Sequence, residues 1–324
     1  MRYNYLNKSK LSSFQLVESM RDMKGIRFEI KDEASAVQFL REQNNYLRTA
    51  AYRKNFTKYQ MGQNQGKYID LDFAYLCELS ILDLYLRQIL FELCIDVEHA
   101  LKVSLLTEIE DDPNEDGYHI VNAFLDQYPK VKNSIVYTSS DAFVNGLIDK
   151  YFSIDYSNRV PRITNIDCPV WVFVELLTFA NFTRFYNDYY RRLNRKKQML
   201  DMSIINPVRN LRNACGHNSC VLFNLKENAG KTKPGTTLTK FISQISGIGQ
   251  RVRKKKLSCR PLFEISCLLY AEKKYVSEDV RQHGMEKLHH FVHGRLQKHL
   301  DYFSENQVIT SAFDFLIKIV DGCL

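Results

Sequence analysis

The chain has 324 residues, of which 45% are hydrophobic and 25% charged, and its formal net charge is +8. This mixture is typical of a soluble globular protein with one or two domains. No run of about 18 uncharged apolar residues occurs, and the first residues lack a signal-peptide stretch, so we expect neither secretion nor a membrane span. The excess of Lys and Arg favours a polyanionic partner such as nucleic acid.

Segments in the first third of the chain have helical patterns. Residues 12–25 begin with serine and end with glycine, and residues 31–56 follow an acidic first turn, so each is predicted to be helical. Between them, "IRFEI" could be a short extended link. The polar stretch "QMGQNQGKYIDLD" carries two glycines and is predicted to be a linker. Residues 71–110 repeat apolar residues at helical spacing without Gly or Pro, which predicts one long helix or two nearly collinear ones.

The rest of the chain is also predicted to be helical. Short helices and loops fill residues 111–169, one helix begins at Pro169, and the next has Asn206 as N-cap and Pro207 as its first residue. Strict alternation typical of strands is nearly absent and no internal repeat occurs, so the fold class is all-α. We divide it into an N-terminal helical region (1–60), a helical core (61–225), and a linker with a C-terminal helical extension (226–324).

The helix after Asn206 has a sorted polar face. When residues 208–218 are projected at about 100° per residue, polar residues lie on one arc of the helix and mainly apolar residues lie on the opposite arc. Gly216 lies in the polar arc and would leave a gap through which a ligand backbone could approach. The polar arc comprises Arg209, Arg212, Asn213, Gly216 and His217, and the opposite arc comprises Val208, Leu211, Ala214, Cys215 and Asn218.

This set of side chains suits cleavage of RNA. A histidine can take the proton of a ribose 2′-OH or give one to the leaving 5′ oxygen, an arginine can hold the scissile phosphate, and an asparagine can orient either group. The candidate catalytic residues are therefore Arg212, Asn213 and His217, with Arg209 adding phosphate binding and Asn218 orienting. The alternative to a catalytic site is a polar helix face that only contacts solvent.

The spacing of Arg212 and His217, with Asn213 after the arginine, resembles the Arg-x(4–6)-His signature of HEPN ribonucleases. The long helix resembles the first block of bacterial abortive-infection proteins of the AbiD/AbiF type. Three further stretches resemble other blocks of that family in the same order: "FLREQNNYLRTAAYRKNF", "WVFVELLTFANFTRFY" and "VRNLRNACGHNSCVLFN". The first block is carried here by Leu79, Ser80, Leu82, Asp83, Leu86, Arg87 and Glu98.

The resemblance covers residues 12–225, with Ala180 standing where the family more often has glycine. It implies a HEPN-like helical bundle and an RNA-cleaving defence against phage that is often held inactive until triggered. Some members of the family are associated with small structured RNAs, so RNA is the expected partner. A module that binds RNA without cleaving it is the alternative, and a nucleotide-transferring toxin ranks last because no complete nucleotide loop is present.

Several other residues have two interpretations. Arg87 and Glu98 lie near one face of the long helix and could support the motif or make an internal ion pair, which we favour. Trp171 is predicted to lie in the core, and the role of Glu175 stays open.

Two basic runs are candidate RNA contacts, the first preceded by Tyr186, Tyr189 and Tyr190, which could stack on bases. The runs contain Arg191, Arg192, Arg195, Lys196 and Lys197, and Arg251, Arg253, Lys254, Lys255 and Lys256.

Cysteine and histidine patterns predict no cofactor and no metal. The eight cysteines form no CxxC pair and lie mostly in apolar helical runs, which indicates a reducing cytoplasm. No HExxH motif or Cys/His cluster with ligand spacing is present. Four histidines could ligate a metal, but they lie on a charged helix without carboxylate or cysteine partners for a metal, so we interpret them as surface residues. They are His283, His289, His290 and His293.

Acid–base cleavage needs two proton-handling groups, and the motif helix has one histidine. A two-fold homodimer that joins two motif helices would supply both groups. Residues 226–324 could instead fold back over the motif face and close a monomer.

Overall fold

A computed structural model describes residues 10–137, 141–157, 161–230 and 232–324. These residues form two compact units. The first contains the chain up to Cys94, Asn206–Lys274 and Glu278–Leu324, and the second contains Ile95–Ile205 and Tyr275–Ser277. The described residues are mainly helical, which confirms the all-α prediction. Residues 1–9, on which the signal-peptide expectation depends, lie outside the described part, and none of the described helices has the length and apolar character to span a membrane.

The first three helices follow local capping signals. Helix α1 (Ser13–Asp22) begins with a capping box in which Ser12 and Gln15 each bind the other's backbone N–H. The single helix predicted over residues 31–56 is wrong, because the segment divides into α2 (Glu33–Glu42) and α3 (Tyr46–Ala51). The Asn45 side chain accepts the Arg48 N–H at 3.0 Å, and this cap starts a new helix.

The long helix is continuous. Helix α4 spans Phe73–Glu110, 38 residues, which confirms that prediction. In the first unit it buries leucines at helical spacing, among them Leu79, Leu82, Leu86 and Leu90. The apolar repeat therefore places one face of α4 in the core beneath the motif helix, where the Cys94 thiol lies 3.8 Å from the Val208 carbonyl oxygen.

The second unit has a core of aromatic rings. Phe124, Phe173 and Phe185 pack edge to face, with centroids 5.0–5.9 Å apart. A small antiparallel sheet lies in the same unit, with Phe152 opposite Ile166 and a bulge after Ser153. Its elements are α5 (His119–Gln127), α6 (Pro129–Ile135), α7 (Ala142–Tyr151), β1 (Phe152–Asp155), β2 (Arg162–Ile166), α8 (Val170–Leu176) and α9 (Phe179–Arg192).

Two predictions for this unit are wrong. The single helix predicted from Pro169 breaks between α8 and α9, because Thr178 is extended and its side chain caps the second helix through the Asn181 N–H. Trp171 is 54% exposed and packs on Gly117 and Tyr118 at the surface. Glu175, whose role was open, pairs with Lys102 at 3.1 Å.

The motif helix starts earlier than predicted. Helix α10 spans Met202–Gly216, and the Asp201 side chain accepts the Ser203 N–H at 2.9 Å, so Pro207 lies inside the helix. Apart from the last residue of α13, the C-terminal helices belong to the first unit. They are tied to α4 by Lys287–Glu92 at 2.5 Å and, from the turn after α14, by Arg295–Glu78 at 2.8 Å. They are α11 (Thr236–Ser243), α12 (Gln250–Lys256), α13 (Arg260–Tyr275), α14 (Glu278–His293) and α15 (Gln307–Asp321).

Candidate functional site

The last turns of α10 separate an apolar side from a polar side. Val208, Leu211 and Cys215 are buried. Arg209 and Arg212 are half-buried, whereas Asn213, Gly216 and His217 are exposed. The His217 N–H donates to the Asn213 carbonyl at 2.9 Å, so the final turn is closed and the two side chains keep their i, i+4 relation. His217 thus lies at an accessible helix end that the C-terminal helices leave uncovered.

Helical projection puts Asn218 on the arc opposite the polar set, but α10 ends before it, at Gly216. It is exposed, and its φ of +58° puts it in the left-handed region that ends many helices. Its N–H donates to the Cys215 carbonyl at 2.9 Å, and the Ser219 N–H donates to the Ala214 carbonyl at 2.7 Å. These two bonds form a Schellman motif, so Asn218 terminates the helix and turns the chain away from His217.

This geometry gives a prediction for Asn218. Asn218→Ala should lower the free energy of unfolding by about 1 kcal/mol, because alanine tolerates the left-handed conformation poorly. Asn218→Gly should be at least as stable as wild type, since glycine has no Cβ to strain there. Urea denaturation of both variants measures this difference. Equal stability of the two variants would contradict the helix-ending role.

The gap expected at Gly216 is occupied. A Cβ at Gly216 would lie 3.2 Å from Cε2 of Phe91 on α4, so the ring packs against the glycine. The Arg212 guanidinium lies 5.9 Å from the centroid of the same ring. Phe91 therefore fills the side-chain gap, while Gly216 itself stays exposed. The glycine lets Phe91 reach α10 and lie beside Arg212, where a cation–π contact favours a fixed guanidinium position.

The segment that follows the motif is held by side chains from the N-terminal half of the chain. Arg48 donates to the Asn218 carbonyl, and the Arg87 Nη1 donates to the Ser219 carbonyl at 3.2 Å. Asn55 exchanges two hydrogen bonds with this segment, donating to the Leu222 carbonyl at 2.9 Å and accepting the Leu225 N–H at 2.7 Å. The backbone from 218 to 225 is therefore attached to α3, α4 and the turn after α3.

A buried carboxylate anchors this attachment. Asp83 is fully buried, and its Oδ2 accepts the Tyr52 hydroxyl at 2.9 Å and the Arg87 Nη1 at 2.7 Å. Its Oδ1 accepts the Leu222 N–H at 2.6 Å. Burial raises the pKa of Asp83, and these three donors oppose that shift. Burial, together with the nearby carboxylate, also raises the pKa of the Tyr52 phenol, which therefore stays a protonated donor.

Arg87 therefore forms an internal ion pair, which is the role favoured from the sequence, and its partner is Asp83. Glu98 lies further along α4, in the second unit, and is half-buried. Arg87 also donates to the backbone carbonyl of Ser219, just after the motif.

A groove lies beside Asn218 in the first unit. Its volume is about 440 Å³, and its polar lining comes largely from the end of α2 and the start of α3. This volume lies within the range of about 300–1,000 Å³ that is typical of small-molecule sites. The polar lining residues include Gln43, Asn44, Asn45, Arg48, Ser80 and Asn218.

Several residues of the two basic runs form ion pairs or hydrogen bonds within the protein. Arg191 and Arg192 both pair with Asp188, and Arg195 pairs with Glu108. Lys196 and Lys197 are exposed. Base stacking by Tyr186, Tyr189 and Tyr190 is contradicted, because all three rings are buried.

In the second run, Arg251 and Lys254 are exposed and Arg253 is half-buried. Lys255 is exposed and lies 3.5 Å from Glu227. Lys256 is buried and donates to Ser311 Oγ at 2.7 Å, so it packs against α15 rather than facing solvent.

Sequence analysis assigned no role to Arg48, Tyr52 and Asn55, which lie together in one quoted family block, and it named Asp83 only as part of another block. A usable signal exists for Asp83, because it is a carboxylate in an otherwise apolar stretch of α4 with Arg87 four residues later. Asn55 offers no such signal, since its partners lie more than 160 positions away in the sequence.

The fold and site define a helical protein with a histidine, an asparagine and two arginines at an accessible helix end. Residues 38–224 match the family model described as Abi-like protein, which is more than half of the chain, and the protein belongs to this family. The matched region includes all of α4, the motif helix and the contacts of Asp83. Family membership points to a function in abortive infection. No curated protein and no solved structure matches the chain.

Proposed function

We propose that the protein is an abortive-infection endoribonuclease of the HEPN type that cleaves RNA without a metal. The observation that carries this proposal is the end of α10, where exposed His217 and Asn213 adjoin half-buried Arg212 within the family-matched region. These three side-chain types can transfer a proton, hold a phosphate and orient a hydroxyl.

The reaction uses the ribose 2′-OH as the nucleophile. His217 takes the 2′-OH proton as the 2′ oxygen attacks the adjacent phosphorus, and the bond from phosphorus to the 5′ oxygen breaks. A second proton donor protonates the departing 5′ oxygen. Arg212 donates to the non-bridging oxygens as their charge grows. The products are a 2′,3′-cyclic phosphate and a 5′-hydroxyl.

The surroundings of the motif support positioning of these groups. Phe91 lies beside the Arg212 guanidinium, and the network of Asp83 and Arg87 holds the chain after His217. Groups held by their own contacts need little reorganisation when charge develops, and this is the main source of electrostatic stabilisation in enzymes. The groove beside Asn218 would take an unpaired nucleotide next to the cut phosphate, because amide side chains can hydrogen-bond base edges.

The experiment that tests this function is cleavage of RNA by the purified full chain in EDTA. We expect new fragments that end in a cyclic phosphate, detected by mass spectrometry. Fragments that appear only when a divalent ion is added would contradict the metal-independent mechanism. Wild-type protein that leaves both host and phage RNA intact would contradict the nuclease assignment.

A homodimer would supply the second proton donor. In a two-fold arrangement of two α10 ends, two His217 and two Arg212 side chains would surround one cleft. The exposure of His217 leaves its side accessible for such a contact.

Mixing active and inactive chains tests the shared cleft. Excess His217→Ala chain added to wild-type protein should lower the cleavage rate per wild-type chain, because mixed dimers keep only one of the two histidines that the cleft needs. Light scattering should give twice the chain mass. A wild-type monomer that cleaves RNA, together with a rate per wild-type chain that the added variant leaves unchanged, would contradict the shared cleft.

The alternative is a module that holds RNA without cutting it. One observation favours RNA binding as such: Lys54 lies 5.0 Å from the Phe223 centroid and Lys58 lies 4.7 Å from the Tyr68 centroid, around a pocket of about 410 Å³. Cations beside rings suit phosphate and base contacts. RNA of one intact length, recovered equally from wild type and His217→Ala, would favour the binding module.

A further inference from the structure

Three potential metal ligands meet between α14 and α15. His289 and His293 are one turn apart on α14, with ring centroids 4.4 Å apart, and Asp321 is the last residue of α15. The Asp321 Oδ1 lies 2.7 Å from His293 Nε2 and 3.9 Å from His289 Nε2. The interpretation of these histidines as lacking a carboxylate partner is therefore wrong. The carboxylate comes from a different helix, 28 positions after His293.

We propose that His289, His293 and Asp321 bind one Zn²⁺ ion, with water completing the coordination. Two imidazoles and one carboxylate form a familiar ligand set for divalent transition metals. Tetrahedral zinc with bonds of about 2.1 Å places its ligand atoms roughly 3.4 Å apart. The three ligand atoms here already lie within 4.8 Å of one another, so small side-chain rotations bring them to these separations.

The charges around the cluster permit a cation. Basic groups along both helices have other acceptors, since Lys318 pairs with Asp314 at 2.7 Å, Lys287 with Glu92 at 2.5 Å, and Arg281 donates to the Cys323 carbonyl at 2.7 Å. His293 and Asp321 end their helices, and helix C-termini carry partial negative charge that favours cations. The three side chains are 39–45% exposed, so the ion can enter from solvent.

The bound ion would clip α14 to α15, in a part of the first unit outside the family-matched region. A metal that binds only the folded arrangement stabilises it by mass action. This role does not depend on RNA cleavage, because none of the three ligands belongs to the α10 motif.

The test is a Zn²⁺ titration of the full chain, made metal-free and without any affinity tag, followed by calorimetry. We expect one ion per chain and a melting temperature that rises with Zn²⁺. Asp321→Ala and His293→Ala should each weaken binding by more than about tenfold, since loss of even a second-shell partner typically costs roughly 10- to 100-fold. His283→Ala is the matched control, as an exposed histidine on the same helix, and should bind Zn²⁺ like wild type.

Cobalt substitution identifies the ligands independently. Bound Co²⁺ should show visible d–d bands without the near-ultraviolet charge-transfer band that cysteine ligation produces. Absence of Zn²⁺ binding, wild-type affinity in both ligand variants, or a thiolate band would each overturn the proposal. The ligand variants should melt like metal-free wild type without Zn²⁺, which separates lost binding from lost folding. They should also retain wild-type RNA cleavage, so failure of this site and failure of the nuclease assignment are distinguishable.

Discussion

Replacement of His217 by alanine is expected to lower the rate of RNA cleavage by at least about 100-fold, because one general acid or base contributes roughly 10²- to 10⁴-fold. The side chain is exposed and follows the last residue of α10. Its removal should therefore change the free energy of unfolding by no more than about 0.5 kcal/mol. Single-turnover cleavage of end-labelled RNA in EDTA, with urea denaturation in parallel, measures both quantities.

His283→Ala is the control for this variant, since His283 is an exposed histidine on α14, a helix outside the motif. It should cleave at the wild-type rate. RNA binding by His217→Ala should stay within a few-fold of wild type, because Arg212 and Arg209 remain to hold phosphates. Cleavage by His217→Ala at the wild-type rate would remove His217 from the mechanism.

Local signals in the sequence were sufficient for several elements of the fold. The capping box at Ser12 and the uninterrupted apolar repeat of α4 each specify a helix through contacts within a few residues. The division of α10 into buried and exposed sides follows from helical periodicity in the same way. Such features depend on backbone geometry that neighbouring residues determine.

Helix ends are harder to predict, because the residues that cap a helix, such as Asn, Asp and Thr, also occur at many positions where no helix begins. Asn45 and Thr178 break segments that are continuous in apolar pattern, and each does so by one side-chain hydrogen bond to a backbone N–H. Helical projection places Asn218 on the arc opposite the polar set, whereas α10 ends at Gly216. Pro207 was placed at the helix start by preference, whereas Asp201 supplies the cap one turn earlier.

Contacts between distant parts of the chain could not be read from spacing at all. The partner of His293 is Asp321, and the ring that fills the gap at Gly216 is Phe91. These pairs depend on how helices pack, which periodicity does not specify. The sequence therefore indicated the chemistry of the α10 motif but not the side chains that hold it in place.

The Asp83 network is where we expect the largest loss of stability. Asp83→Ala removes the common acceptor of Tyr52, Arg87 and the Leu222 N–H, and leaves the Arg87 guanidinium buried with only the Ser219 carbonyl. Removing one partner of a buried ion pair typically costs about 3–5 kcal/mol. That is a large share of the roughly 5–15 kcal/mol that stabilises a folded domain. Urea denaturation followed by circular dichroism measures the change.

A double variant distinguishes the destabilisation caused by the unpaired Arg87 charge from that caused by lost packing. Asp83→Ala combined with Arg87→Met should be more stable than Asp83→Ala alone, because the isolated buried cation is gone. Asp314→Ala is the surface control; it breaks the exposed pair with Lys318, and such pairs are worth at most about 1 kcal/mol. Equal destabilisation by Asp83→Ala and Asp314→Ala would contradict the anchoring role.

Since the same network holds the chain after His217, the double variant should also cleave RNA more slowly than wild type while folded. Asp83 and Arg87 would then contribute to activity by positioning the motif, without contacting the substrate.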